Sequence, residues 1–230
     1  LIHIFSQDPP GCMLVGGTAL AGFYAGHRVS DDLDIFASDP VSFRAGVLAA
    51  RNLQTIGTLF SRETSSAQYY HAQCLLDGHA FTVYLVEDAN LFRVGQGIRL
   101  ENNILVADLK TLLGLKAATL VSRCGEKDLY DLIWLFAQAG TTRLPEILAL
   151  GQQYDAGLNL ENLLISISGT MPREEACGFS PAGRVSASQI HKELVQFQEQ
   201  LIRAVTALLK SQPVPPLGEL VKKLKQLRKP

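Results

Sequence analysis

The rhythm of apolar and polar residues changes near Leu105. Before it, short apolar runs and alternations are separated by Gly, Pro, Asn and Asp, the pattern of strands joined by turns. Cys12-Met13-Leu14-Val15 reads as a buried strand, and Thr18 to Ala25 as a helix with Thr18 as its cap. Asp31 to Phe36 reads as a strand and Val41 to Arg51 as a helix. Strands are expected over Thr55 to Arg62, Gln68 to Leu76 and His79 to Val86, with Asp77-Gly78 as a hairpin turn between the last two. From Asp108 the period becomes helical. Asp108 to Val121 and Glu126 to Gln138 are amphipathic, shorter helices follow at 143–151 and 158–167, and 169–184 reads as a loop. Ser186 to Lys210 is a long helix with Ile190, Leu194, Phe197, Leu201, Val205 and Leu208 on one stripe. The segment QPVPP breaks it, and a basic tail carries Lys222, Lys223, Lys225, Arg228 and Lys229. The predicted fold is therefore α+β, a mixed β-sheet core over 1–106 followed by a helical half over 107–211, with a Pro-rich break and tail at 212–230.

One stretch departs from packing logic. Asp32 and Asp34 interrupt a strand that should be apolar, and alternation sends both to one face while Leu33 and Ile35 take the other. At the strand rise their Cα atoms lie about 6.5 Å apart. Two carboxylates so placed repel unless a positive charge sits between them, and Mg²⁺ or Mn²⁺ suits hard oxygen ligands. The plainer alternative is that Asp32 caps a turn and Asp34 pairs with Arg28. Just upstream, Gly16 and Gly17 join a strand to a helix. Such a turn presents backbone N–H groups and the positive end of a helix dipole, which suits phosphate, although it also serves tight packing. A phosphate cradle followed by an Asp-x-Asp strand points to metal-assisted transfer from a nucleoside triphosphate.

Composition narrows the setting. Of 230 residues 47% are hydrophobic, enough for a sizeable core, and the formal charge of −1 is compatible with any partner. No apolar run approaches the ~20 residues needed to span a bilayer, and no basic-then-apolar leader opens the sequence. Cys12, Cys74, Cys124 and Cys177 form no CxxC pair, so reduced thiols in the cytoplasm are expected rather than a zinc site or disulfides.

"GGTAL…GHRVSDDLDIF" resembles the first motif of the polymerase-β-like nucleotidyltransferase superfamily, and specifically the AbiEii/AbiGii toxin family. The likeness covers Gly16, Gly17, Thr18, Ala19, Leu20, His27, Arg28, Ser30, Asp32, Leu33 and Asp34. A family-like lysine follows as Lys116 in "LGLKAATL", and a "KDhhDL" helix as "KDLYDLIWLF". The resemblance implies a nucleotidyltransferase core in which Asp32 and Asp34 hold Mg²⁺ or Mn²⁺. Gly16, Gly17, Thr18, Arg28, Ser30 and Asp128 would be on the nucleotide-binding side. Lys116 would neutralise phosphate charge, and Asp131 would orient or deprotonate the acceptor. Read from the residues alone, Lys116 could equally snorkel to water and Lys127–Asp131 could be a surface pair. Lys116 and Asp131 are expected to face the cleft that contains Asp32.

The superfamily carries a third carboxylate on a later strand. Near Thr82 to Tyr84, where it would fall, there is none, and Glu87 and Asp88 come only at the strand's end. The function implied is transfer of a nucleotide from an NTP to an acceptor hydroxyl. The resemblance implies an acceptor in the RNA class, tRNA ends included, and a cognate antitoxin encoded nearby in a type IV toxin–antitoxin or phage-defence pair. The alternative is a nucleotide- or partner-binding module without turnover, and a third reading is nucleotidylation of a protein side chain. The basic tail is either an arm for RNA phosphates or a solvated helix end.

Overall fold

The computed structural model describes residues 1–225. By its contacts the chain divides into two units, Leu1–Gly26 with Ser30–Leu112, and His27–Val29 with Leu113 onward.

In the first unit α1 (Ile2–Phe5) precedes β1 (Cys12–Val15), and β1 runs into α2 (Gly16–Leu20), which continues as a π-helical turn over Ala21–Ala25. Next come β2 (Asp32–Ala37), α3 (Pro40–Arg51), β3 (Leu59–Ser65), β4 (Tyr69–Leu76), β5 (His79–Glu87), α4 (Ala89–Val94), β6 (Gly97–Arg99) and β7 (Leu105–Ala107). The strands form one mixed sheet in the order β3-β4-β5-β2-β1-β7-β6. β2 is antiparallel to β1 and parallel to β5. All of β1 is buried, as an uninterrupted apolar run at the centre of a sheet should be. Alternation gives the sheet two unlike faces. Cys12, Leu14, Ile35, Ala37, Val83, Leu85, Tyr70, Ala72 and Cys74 form the buried one. Helix α3 lies on it, and Gly46 is what lets it approach, since a Cβ there would sit 2.6 Å from Leu85 Cδ1 and 3.0 Å from Cys12 Sγ. Asp39 caps α3 by accepting from the N–H groups of Val41 and Ser42.

The expected Asp77-Gly78 turn joins β4 to β5, with φ of 50° and 81° and Leu76 opposite His79. Two expectations shift. Residues 52–56 form a 3₁₀ turn rather than the start of a strand, because the α3 backbone winds on past Asn52 to bury Leu53 and stops only at Gly57. Thr18 does not cap α2, which begins at Gly16; its hydroxyl instead donates to the Asp32 carbonyl.

Helix α5 (Leu109–Ser122) leads into the second unit, followed by α6 (Glu126–Ala139), α7 (Leu144–Gly151), α8 (Leu160–Gly169), α9 (Ala187–Leu209) and α10 (Leu217–Lys225). Of the predicted stripe of α9, Ile190, Leu194, Phe197, Leu201 and Val205 are buried and Leu208 is half-buried, and Phe197 meets Phe136 of α6 edge-on at 5.5 Å. Gln198 donates from Nε2 to the carbonyls of Ile167 and Thr170 and so closes the end of α8. The start of the tail is a packed helix: Leu217, Leu220, Val221 and Leu224 are buried, and Lys222 lies 3.3 Å from Glu219. Arg228 and Lys229 lie outside the described residues.

Candidate functional site

Within the first unit the motif residues converge on one strand junction. Gly16 sits at φ 68°, the left-handed region that glycine tolerates, and starts α2 where β1 ends. A Cβ on it would fall 2.1 Å from Asp34 Oδ2, so only glycine lets the turn lie against this carboxylate. Val15, the residue before the turn, is paired across the ladder with Asp34. Asp32 and Asp34 are half-buried on the sheet face opposite α3, as alternation requires. Thr18 is tied to the Asp32 backbone, and Ser30 is half-buried in the loop before β2.

On the other flank of β2, the parallel register sets Thr82 opposite Asp32 and Tyr84 opposite Asp34. The positions where the sequence lacks a third carboxylate are thus directly beside the pair, occupied by a hydroxyl and a phenol. Glu87 lies at the far end of the same ladder, opposite Ala37. Among the described residues no cluster of three or more His, Cys, Asp or Glu side chains could hold a metal. Two carboxylates nevertheless fit a hard divalent ion such as Mg²⁺, which keeps several waters and completes its shell with substrate phosphate oxygens.

Within the second unit a separate constellation is buried. Asp131 is fully buried and accepts from Arg28 at both oxygens, Nε to Oδ1 at 2.6 Å and Nη2 to Oδ2 at 2.8 Å. Lys116 Nζ is 2.8 Å from Asp131 Oδ2 and donates to Asp128 Oδ1 at 2.9 Å. His27 Nε2 lies 2.8 Å from Asp131 Oδ1, its ring stacked on Tyr130 at 5.4 Å. Arg123, largely exposed, reaches Asp128 Oδ2 at 3.3 Å. Lys116 is therefore neither snorkelling nor free: only 6% of its surface is exposed and two carboxylates hold its ammonium.

The electrostatics follow from that geometry. Burial alone would raise the Asp131 carboxyl, but hydrogen bonds from Arg28 and His27 and the Lys116 charge outweigh it and hold the group well below the carboxylate range. Burial alone would likewise lower Lys116, yet the charges of Asp131 and Asp128 push it above its ordinary value. An ionised, enclosed Asp131 fits a positioning role for Arg28 and Lys116 better than that of a base. The thiols offer no nucleophile. All four are free, burial pushes Cys12 up to about 12, and Cys74, Cys124 and Cys177 rise to about 11, so they stay protonated.

The structure thus groups Gly16, Gly17, Thr18, Asp32 and Asp34 at one junction and Arg28, Lys116, Asp128 and Asp131 in one buried network. Sequence reasoning gave no role to His27, whose signal was its place in the "GHR" segment, or to the His71 and Tyr69 rings beside Tyr84.

No family model and no curated protein matches the sequence. Solved structures do. MenT4, a nucleotidyltransferase toxin from Mycobacterium tuberculosis H37Rv, aligns over 99% of this chain and 90% of its own, at 16% identity and a TM-score of 0.58. The fold is that of a nucleotidyltransferase. JHP933 from Helicobacter pylori aligns over 99% of this chain and 94% of its own at 16% identity, with a TM-score of 0.45. Among the described residues no helix is long and apolar enough to cross a membrane.

Proposed function

We propose that the protein is a metal-dependent nucleotidyltransferase that moves a nucleotide from an NTP to an acceptor hydroxyl, with RNA ends as the acceptor class. The observation that carries this reading is the junction itself: a glycine turn moulded onto Asp34, in a nucleotidyltransferase fold. Gly16, Gly17 and Thr18 hold the triphosphate, and Asp32 and Asp34 hold Mg²⁺ or Mn²⁺, which when bound polarises the α-phosphate. Lys116 is kept charged by Asp131 and Asp128 within its own unit, and Ser30 adds a hydroxyl on the nucleotide side. The acceptor oxygen bonds to the α-phosphorus while the bond to the β-phosphate oxygen breaks. Pyrophosphate leaves with the electron pair, and the acceptor proton passes to solvent. The same likeness supports action as the toxin of a type IV toxin–antitoxin or phage-defence pair, in the cytoplasm, opposed by a cognate antitoxin.

A second reading, nucleotide binding without turnover, draws on one observation: Thr82 and Tyr84, not a carboxylate, stand beside Asp32 and Asp34. Pyrophosphate release decides between them, measured with each NTP, Mg²⁺ or Mn²⁺ and total RNA. The transferase reading expects release from the wild type and none from Asp34→Ala. Binding of Mg²⁺–NTP with no release under any combination would establish the second reading. Release that survives Asp34→Ala would remove the metal assignment.

A further inference from the structure

The sheet face that carries Asp32 and Asp34 also carries an aromatic group that neither core packing nor the phosphate chemistry uses. The ladder registers set out two rows across that face. One runs Asp34, Tyr84, His71, Thr64, and the other Asp32, Thr82, Gln73, Arg62. The His71 and Tyr84 rings lie 4.8 Å apart at 39°, and Tyr69 approaches Tyr84 at 6.5 Å and 46°. These rings are on the side away from α3: His71 and Tyr84 are half-buried and Tyr69 is 39% exposed. Arg62, Thr64 and Gln73 around them are exposed. Three aromatic rings at a polar surface, ringed by hydroxyl, amide and guanidinium groups, present flat apolar faces together with hydrogen-bonding edges. A nucleobase needs both.

Direction on the sheet decides which base. The glycine turn lies at the end of β1, on one flank of β2, and β5 and β4 lie on the other flank. Nucleotidyl transfer requires the attacking and leaving oxygens to be roughly in line through the phosphorus. With the triphosphate tail at Gly16 and Gly17, pyrophosphate departs on the β1 flank and the attacking hydroxyl must come from the β5 flank. We propose that Tyr84, His71 and Tyr69 form the stacking platform for the terminal base of the acceptor strand, with Arg62 taking one of that strand's phosphates. This rests on the transferase reading for its direction. It adds that the position without a third carboxylate is a ring that seats the acceptor, so a single-stranded nucleic acid end is favoured over a protein hydroxyl.

The test measures binding and needs no turnover. A short single-stranded RNA, the same strand with an abasic 3′-terminal residue, and Mg²⁺–ATP are titrated against the wild type, Tyr84→Leu, Tyr84→Phe and His71→Ala. The proposal expects the intact RNA to bind the wild type more tightly than the abasic strand. Tyr84→Leu should weaken the intact strand at least about fivefold while leaving the abasic strand and Mg²⁺–ATP unchanged. Tyr84→Phe should retain the preference, and His71→Ala, on a separate strand, should reduce it even if Tyr84→Leu folds poorly. Equal binding of intact and abasic RNA by the wild type would overturn the platform. So would weakening of ATP rather than RNA, or transfer of labelled nucleotide to a polypeptide with no base-dependent RNA binding. Base-dependent binding without pyrophosphate release would uphold the platform and sink the transferase reading; release with no base preference would do the reverse.

Discussion

At the scale of single residues, Asp131 and Gly16 are each held by contacts that their substitutes cannot reproduce. Asp131 neutralises Arg28 and Lys116 in a buried setting. Asp131→Asn leaves cationic charge there underpaired, and the expected loss is about 3–5 kcal/mol in urea unfolding. Any loss of activity in that variant therefore has to be read against its folded fraction. The Asp131 carboxyl is held below its ordinary value, so its contribution to stability is present above about pH 4 and falls away as pH drops through the lowered value. The wild type should lose stability on acidification more steeply than Asp131→Asn, as followed by unfolding midpoints across that range. Gly16→Ala should cost about 1–2 kcal/mol from the left-handed backbone alone, and more from the collision with Asp34. Combining it with Asp34→Ala should recover part of that loss, a non-additivity that a double-mutant cycle reads directly. Strict additivity would show that the two residues do not touch. Gly16, Asp32 and Asp34 were legible in the sequence because turn and alternation are local rules. The Arg28–Asp131 pair was not, since its partners are 103 positions apart and the local readings set Arg28 beside Asp34 and Asp131 beside Lys127.

At the scale of elements, the hairpin between β4 and β5 separates support from chemistry. Gly78 has φ 81° and a Cβ added there would meet nothing within 4 Å, so Gly78→Ala incurs only backbone strain. The expected cost is about 1 kcal/mol, seen as a lower Tm, with pyrophosphate release unchanged at temperatures where the variant is folded. A larger loss of activity than of stability would tie the hairpin to the site. The strongly periodic elements were legible: β4, β5, α6 and α9 fall within a residue or two of where alternation and helical spacing place them. The four-residue α1 and the three-residue β6 and β7 were not. Pieces that short show no period, and only a neighbouring strand or buried surface reveals them. The 3₁₀ turn at 52–56 escaped for the opposite reason, because β-branched Thr55 and Ile56 favour a strand locally while burial of Leu53 prevails.

At the scale of the molecule, the change of rhythm near Leu105 anticipated a sheet-bearing part and a helical part. What no periodicity could reveal is that His27–Val29 belongs by its contacts with the helices that follow Leu113. The flanking residues on both sides belong to the sheet-bearing unit, so the chain leaves that unit and returns within one short loop. This has a consequence for synthesis. The helical unit cannot complete its charged interior from its own contiguous segment, because Arg28 and His27 are made long before Asp131 emerges from the ribosome. A fragment of residues 113–230 should therefore express as a poorly folded chain, with weak near-ultraviolet circular dichroism and rapid proteolysis. A synthetic peptide spanning 20–35 should restore protection in trans, and the same peptide with Arg28→Ala should not. If the fragment folds unaided, the early loop is dispensable to it. If only the peptide rescues it, a nascent chain must hold the loop of His27–Val29 in reserve until α6 brings Asp131.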